Sequence, residues 1–227
     1  MPTIQILPVR TGREKRIFLT FPWRIYKNDP LWVPPILQER AKVIDPAHGL
    51  FFKDGSAECF IAWMDGQPAG TLCLAEEQAR TRHLGHAECM FGFVECVDDY
   101  AVFEAMFDHA GRWAGSRGMT ALYGPFNLDR EDSRGILIEG RDRPPALYCA
   151  HHPPYYCQFF ERYGFQKDGD DGVAYAVDID LNNPRVQKLS HVAERVRAKN
   201  PHVRVRGANL ADKDAEIDRV VYLQNRG

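Results

Sequence analysis

Several groups of residues in this chain carry side chains with chemistry to offer. Glu95 closes the apolar run Cys89-Met90-Phe91-Gly92-Phe93-Val94, and a carboxylate at the end of a buried strand can act as a general base. The plainer reading is a solvated strand end. Tyr155 and Tyr156 follow His151-His152-Pro153-Pro154, and their hydroxyls either line a cleft or pack in the core. The two histidines could bind metal or relay protons, but neighbours on an extended chain point apart, which favours a polar loop. Arg130, Arg134, Arg141 and Arg143 are interleaved with Glu131, Asp132, Glu139 and Asp142. That pattern is a self-neutralising surface first and a grip for an anionic ligand second.

The elements that must position these groups can be read from periodicity. The run ending at Val94 is too short for a helix and apolar enough to be a strand buried on both faces. Asp98-Asp99 suits a helix N-terminus, and Val102, Phe103, Met106, Phe107, Ala110, Trp113 and Ala114 then share one helical face up to Gly118. Ala121-Leu122-Tyr123-Gly124 is a second strand, so the unit is βαβ with parallel strands. Upstream, Thr3–Arg10 reads as a strand, a helix capped by Thr11 or Gly12 is interrupted at Pro22, Asn28–Pro35 is extended, and Ile36–Ile44 is a short helix. Strands Glu58–Met64 and Pro68–Leu74 form a hairpin around Asp65-Gly66, and Glu76–His86 is a loop or a frayed strand end. Downstream, Ala146–Ala150 reads as a strand, Pro154 opens a helix that Gly164 stops, and Val173–Ile179 is a last strand. Trp63 and Trp113 are read as core.

The chain has 227 residues, a net charge of -2, and 26% charged against 44% hydrophobic residues, an ordinary globular balance with no basic footprint for nucleic acid. Its six cysteines form no Cys-x-x-Cys pair, which predicts reduced thiols and no metal site. No apolar run approaches a transmembrane length and there is no signal peptide, so the expected location is cytoplasmic.

The order of elements, with Phe160-Glu161-Arg162-Tyr163-Gly164-Phe165 at the end of the tyrosine helix, resembles the GCN5-related N-acetyltransferase (GNAT) superfamily, whose helix signature is Tyr-x-x-x-Gly-Phe. Asn28-Asp29-Pro30-Leu31-Trp32-Val33-Pro34-Pro35 and His152-Pro153-Pro154-Tyr155-Tyr156 are similar to a bacterial subfamily of long, two-lobed GNAT-like proteins. The resemblance covers Thr3–Asp180. It implies an α/β fold with a mixed sheet, antiparallel in its N-terminal half and parallel at the βαβ centre, flanked by helices. It also implies a co-substrate, acyl-CoA or acetyl-CoA, whose pantetheine arm lies where the central strands part. That role would fall on Phe93, Val94 and Cys96 opposite Tyr123 and Gly124, with Glu95, Tyr155 and Tyr156 catalytic. The acceptor would be a small-molecule or lipid-like amine, and a homodimer stays open.

Two departures stand against that pattern. The family's phosphate loop is glycine-rich, whereas Glu95-Cys96-Val97-Asp98-Asp99 offers three carboxylates. The position of the family's acidic tyrosine is Phe160, which has no proton to give. The tail, with a helix after Asn183-Pro184, a strand His202–Arg206 and a helix capped by Asp212, reads like the start of a second copy. Expected domains are therefore 1–180 (GNAT-like), 181–201 (linker helix) and 202–227 (start of a truncated second lobe), in a fragment of a longer protein. The function expected is acyl-CoA-dependent N-acylation; the alternative is a non-catalytic lobe serving as scaffold or partner-binding half.

Overall fold

The computed structural model describes residues 2–130, 132–175, 180 and 182–226. The chain divides into two compact units, Met1–Ala174 and Tyr175–Gly227. In the first, strands β1 (Ile4–Pro8), β2 (Gly55–Met64), β3 (Gln67–Glu77), β4 (Cys89–Cys96) and β5 (Leu122–Tyr123) form one sheet in sequence order. The first four pair antiparallel and β4–β5 is parallel. Asp65 and Gly66 both adopt positive φ (49° and 77°), the conformation a two-residue hairpin needs, and this sets the β2–β3 register.

Alternation splits the sheet's side chains between two cores. Phe60, Leu72, Leu74 and Phe91 face α5 (Tyr100–Gly115) and α6 (Tyr155–Tyr163), meeting Phe103, Phe107, Phe159 and Phe160. Ile61, Cys73 and Met90 point the other way, where Phe18 of α1 (Gly12–Thr20) and Phe126 cover them. Burial of both faces explains why β4 is a continuous apolar run. The buried face of α5 is the one its 3.6-residue period predicts. Thr11 caps α1 in a reciprocal box with Glu14, and Pro22 begins the separate turn α2 (Pro22–Ile25). α3 spans Leu37–Val43.

Strand β4 contains a bulge. Thr71 pairs with Glu95 but Cys73 pairs with Gly92, so one extra residue lies on β4 between them, where Phe93 has φ 49°. The Thr71 hydroxyl donates to the Phe93 carbonyl (2.8 Å) and the Phe93 N–H donates to Asn127 Oδ1 (2.7 Å), clamping the bulge from both sides. Its effect is a change of parity: Cys89 and Phe91 belong to the α5 core before it, Val94 and Cys96 after it. Glu95 is thereby turned away from the phenylalanines.

Two expectations fail. Glu76–His86 is not a loop: β3 runs to Glu77 and α4 (Gln78–Leu84) follows, a helix without apolar periodicity, pinned by Arg80–Glu88 (2.6 Å) and Arg82–Asp54 (2.9 Å) and ended by Gly85 at φ 77°. Ala146–Ala150 forms no strand; Tyr148 has φ 61° and the Cys149 N–H closes a turn on the Ala146 carbonyl (3.0 Å). The strand expected over Val173–Ile179 falls largely outside the described residues.

In the second unit α7 (Pro184–Lys199) is capped by Asn183, and α8 (Lys213–Gln224) follows Asp212, whose side chain makes no cap bond. The strand expected at His202–Arg206 does not form; among the described residues this segment belongs to no ladder. Among the described residues no helix is long and apolar enough to cross a membrane.

Candidate active site

The parallel ladder between β4 and β5 lasts only two pairs, Cys89 with Leu122 and Met90 with Tyr123. One further backbone bond, Phe126 N–H to the Phe91 carbonyl (2.8 Å), continues it, and then the chains part. Beyond that point a cavity of about 150 Å³ opens, lined among others by Trp32, Arg40, Phe93, Glu95, Asn127 and His151. Its walls combine aromatic and proline side chains with polar ones in about equal measure.

Glu95 is the centre of the polar groups. The Tyr156 hydroxyl, in the first turn of α6, donates to Glu95 Oε2 (2.8 Å), and the Tyr26 hydroxyl, at the end of α2, donates to the same oxygen (3.1 Å). Oε1 carries no hydrogen bond among the described residues. Burial pushes the carboxyl up to about 7 from 4.5, against the two tyrosine hydrogen bonds and the Arg40 guanidinium, which all favour the charged form. Arg40 is itself ion-paired with Asp132 and lies over the Phe93 ring (5.4 Å). Burial and the nearby carboxylate hold both tyrosine hydroxyls protonated, so they remain donors. A carboxyl balanced near neutrality with one oxygen facing a cavity can take a proton from a bound amine.

Tyr156 and its neighbour Tyr155 close the β4 edge. The Cys96 N–H donates to the Tyr156 hydroxyl (2.7 Å), and the Tyr155 hydroxyl donates to the Cys96 carbonyl (2.7 Å). With the Phe93 N–H held by Asn127, the backbone groups a pantetheine arm would use at Phe93 and Cys96 already have partners within the chain. The α5 N-terminus is filled in the same way: Asp99 Oδ1 accepts from the Ala101 N–H (2.9 Å). The usual coenzyme seat therefore fits poorly on this chain's own backbone. A thioester reaching Glu95 must displace tyrosine hydroxyls or come through the cavity. Replacing Tyr156 by phenylalanine is expected to lower stability by about 2 kcal/mol in urea denaturation, because the buried Cys96 N–H loses its partner.

The structure thus brings Phe93, Val94 and Glu95 into the cavity wall, with Tyr155 and Tyr156 bonded behind it. Cys96 is buried, and Tyr123 and Gly124 stay against Met90 and Phe91, leaving Pro125 and Asn127 to form the wall on that side. Glu95 is not a solvated strand end, because the bulge turns it inward. Nor are His151 and His152 a solvated polar loop. The His151 ring reaches Asp29 (2.7 Å), while His152 Nδ1 accepts from the Leu137 N–H (3.3 Å) and burial drops its pKa to about 4. Arg141 binds the Leu137, Ile138 and His152 carbonyls and not the acids beside it, so it ties the loop to the site. Tyr26 and Asp29 carried no sequence signal for these roles, being 69 and 122 residues from their partners. The six cysteines are unpaired, and among the described residues no cluster of three histidine, cysteine or acidic side chains could hold a metal.

Sheet order, the parallel pair that parts after two steps, α5 between its strands and the tyrosine helix alongside make the chain GNAT-like in fold. No family model matches it. It is 29% identical over 224 residues to the bacterial ceramide synthase of Caulobacter vibrioides (strain NA1000 / CB15N), covering 98% of this chain and 57% of that protein. It is 31% identical over 190 residues to the protein YghO of Escherichia coli (strain K12), covering 80% and 47%. The chain thus spans about half the length of the curated relatives it matches. Among solved structures it is similar to a predicted acetyltransferase with acetyl-CoA from Clostridium acetobutylicum (12% identity, 80% of this chain and 97% of that one, TM-score 0.45). It is also similar to FeeM, an N-acyl amino acid synthase from uncultured soil microbes (14%, 54% and 70%, TM-score 0.35).

Proposed function

We propose that the protein carrying this chain transfers an acyl group from acyl-CoA to an amine, with Glu95 as general base. The observation that carries this reading is the Glu95 carboxylate: one oxygen is held by two tyrosine hydroxyls and the other is left to a cavity where β4 and β5 part. In the reaction the amine nitrogen attacks the thioester carbonyl, a C–N bond forms as the C–S bond breaks, the amine's proton passes to Glu95 and the departing thiolate takes one up. Glu95 accepts best when ionised, so activity should rise with pH through about 7. The likeness to a protein named ceramide synthase supports a lipid-like amine as acceptor. Acyl length and acceptor identity are parts of this proposal.

A second reading is favoured by the filled coenzyme seat at Asp99, Tyr155 and Tyr156: this lobe holds the acceptor or shapes a shared cleft, and the coenzyme binds elsewhere in the longer protein. Calorimetric titration of the 227-residue chain with coenzyme A and with palmitoyl-CoA separates the two. Micromolar binding that tightens when Tyr155 is replaced by phenylalanine, which frees the Cys96 carbonyl, supports a working coenzyme site along β4. Absence of binding here, with binding by the full-length protein, favours the second reading.

A further inference from the structure

We infer that Asn127 holds the carbonyl oxygen of the acyl donor, its Nδ2 donating to that oxygen as negative charge builds there. The inference rests on the acyl-transfer reading of the cavity and adds to it a group that faces the thioester while Glu95 faces the amine.

Three observations carry it. The first is the orientation of the Asn127 carboxamide, whose Oδ1 accepts from the Phe93 N–H (2.7 Å). A peptide N–H only donates, so the atom it meets is the oxygen, and the NH2 group is left to point elsewhere. The second is that this NH2 group donates to nothing among the described residues. It is also not one of the side-chain atoms buried without a partner, which belong to His109 and His151, so it keeps accessible surface. Asn127 lines the cavity, and the two free donors open there.

The third observation is that the position is fixed before any ligand arrives. Phe126 and Leu128, on either side of Asn127, are both buried in the core beneath the sheet. The backbone between them lies so close to β4 that a Cβ at Gly92 would stand 3.1 Å from the Asn127 nitrogen. Nearby donors are already committed. Arg40 is ion-paired with Asp132, the Thr71 hydroxyl donates to the Phe93 carbonyl, and the Phe93 N–H is the one that Asn127 has taken. Accepting that bond polarises the carboxamide and makes its NH2 group the stronger donor.

Position also ties Asn127 to Glu95. The carboxamide is clamped at Phe93, and Glu95 is two positions further along β4, about 7 Å in an extended strand. One reacting carbon, with its oxygen hydrogen-bonded at one end and its attacking nitrogen at the other, covers a span of that order. The nitrogen bonds to the carbonyl carbon and the C=O π pair moves onto oxygen, where the Asn127 N–H meets it. The pair returns as the C–S bond breaks and the thiolate leaves, while the amine's proton goes to Glu95. Asn127 gives up no proton. Donors held in place before the charge develops are the ones that lower the barrier.

The test uses the full-length protein with palmitoyl-CoA, isotope-labelled at the thioester carbonyl, and octylamine. Asn127→Asp keeps an oxygen for the Phe93 N–H and removes both donors, so a purely structural role would survive it. We expect its melting temperature to hold and its kcat for transfer to fall at least about 100-fold, the loss of one oxyanion donor, with KM for palmitoyl-CoA within about threefold. The assay is run at about pH 9, where Glu95 stays ionised despite the added carboxylate. Without amine, the carbonyl stretch of the bound thioester should lie at lower frequency in the wild type than in the variant. The Asn127 side-chain amide protons of the wild type should shift in NMR when palmitoyl-CoA binds; this arm decides if the variant does not fold. Full kcat in a folded Asn127→Asp, an unmoved amide signal, equal carbonyl frequencies or failure of palmitoyl-CoA to bind overturns the inference, and in the first case transfer itself stands. A shifted carbonyl and amide signal with no transfer to octylamine would leave Asn127 as the carbonyl's partner and remove the acyl-transfer reading.

Discussion

Glu95→Gln is expected to lower acyl transfer by at least about 100-fold at saturating substrate, the ordinary loss for a general base. The amide keeps an oxygen for the Tyr26 and Tyr156 hydroxyls, so the cavity should persist while proton uptake is lost. The same change should raise stability at alkaline pH. The carboxyl's folded pKa of about 7 lies above its unfolded value of 4.5, mainly through burial. Between those values the folded protein keeps a proton that the unfolded chain has released. The contribution of Glu95 to wild-type stability is therefore greatest below about pH 4.5, falls as pH rises to about 7 and is flat beyond, by roughly 3 kcal/mol. The glutamine variant lacks that slope. Its melting temperature should exceed the wild type's at pH 8 and converge with it near pH 4.5. A pH-independent difference, or full activity in the variant, would remove Glu95 from the role assigned to it.

Gly92→Val is expected to be the most damaging substitution in the sheet. A Cβ at Gly92 would overlap the Phe126 carbonyl, and one at Gly124 would meet the Phe91 carbonyl and its ring (2.9 Å to Cδ2). Here the segment after β5 lies directly on β4, backbone against backbone, and only glycine permits the approach. Neither atom in the way is the end of a flexible side chain, so β5 itself would have to move. A loss of about 4 kcal/mol or failure to fold is expected, at the upper end for single substitutions. Gly111→Ala is the control: this helical glycine has open space around it and should gain up to about 1 kcal/mol. Denaturant melts of the two variants side by side would settle the point, and a near-neutral Gly92→Val would mean that β5 does not lie as closely on β4 as the structure has it.

How much of this was legible in the sequence depends on whether the signal was local. The α5 face, the Asp65-Gly66 hairpin and the start of α6 after Pro154 are written in spacing and turn chemistry, and the structure forms them at those places. Helix α4 was missed because its stability comes from ion pairs to Asp54 and Glu88 and not from an apolar stripe. The apparent strand at Ala146–Ala150 had apolar residues but no neighbouring strand to pair with. At the site, Glu95, Tyr155 and Tyr156 stood out by residue type and position in their elements. Tyr26, Asp29 and the burial of His151 did not, because those contacts join distant parts of the chain. The β4 bulge left no trace either: Gly92-Phe93-Val94 is equally apolar with or without the extra residue.

That extra residue decides which face the end of β4 presents. Phe91 and Glu95 are four positions apart, so in a regular strand they would share a face and the carboxylate would point toward Phe103 and Phe160; the bulge is what places it on the other side. Removing one residue together with the bulge would leave Glu95 opposite Thr71 and on its present face, so strand length and bulge must change together. In an alignment, a one-residue gap at this point would mark chains that dispense with the bulge and still keep the inward carboxylate.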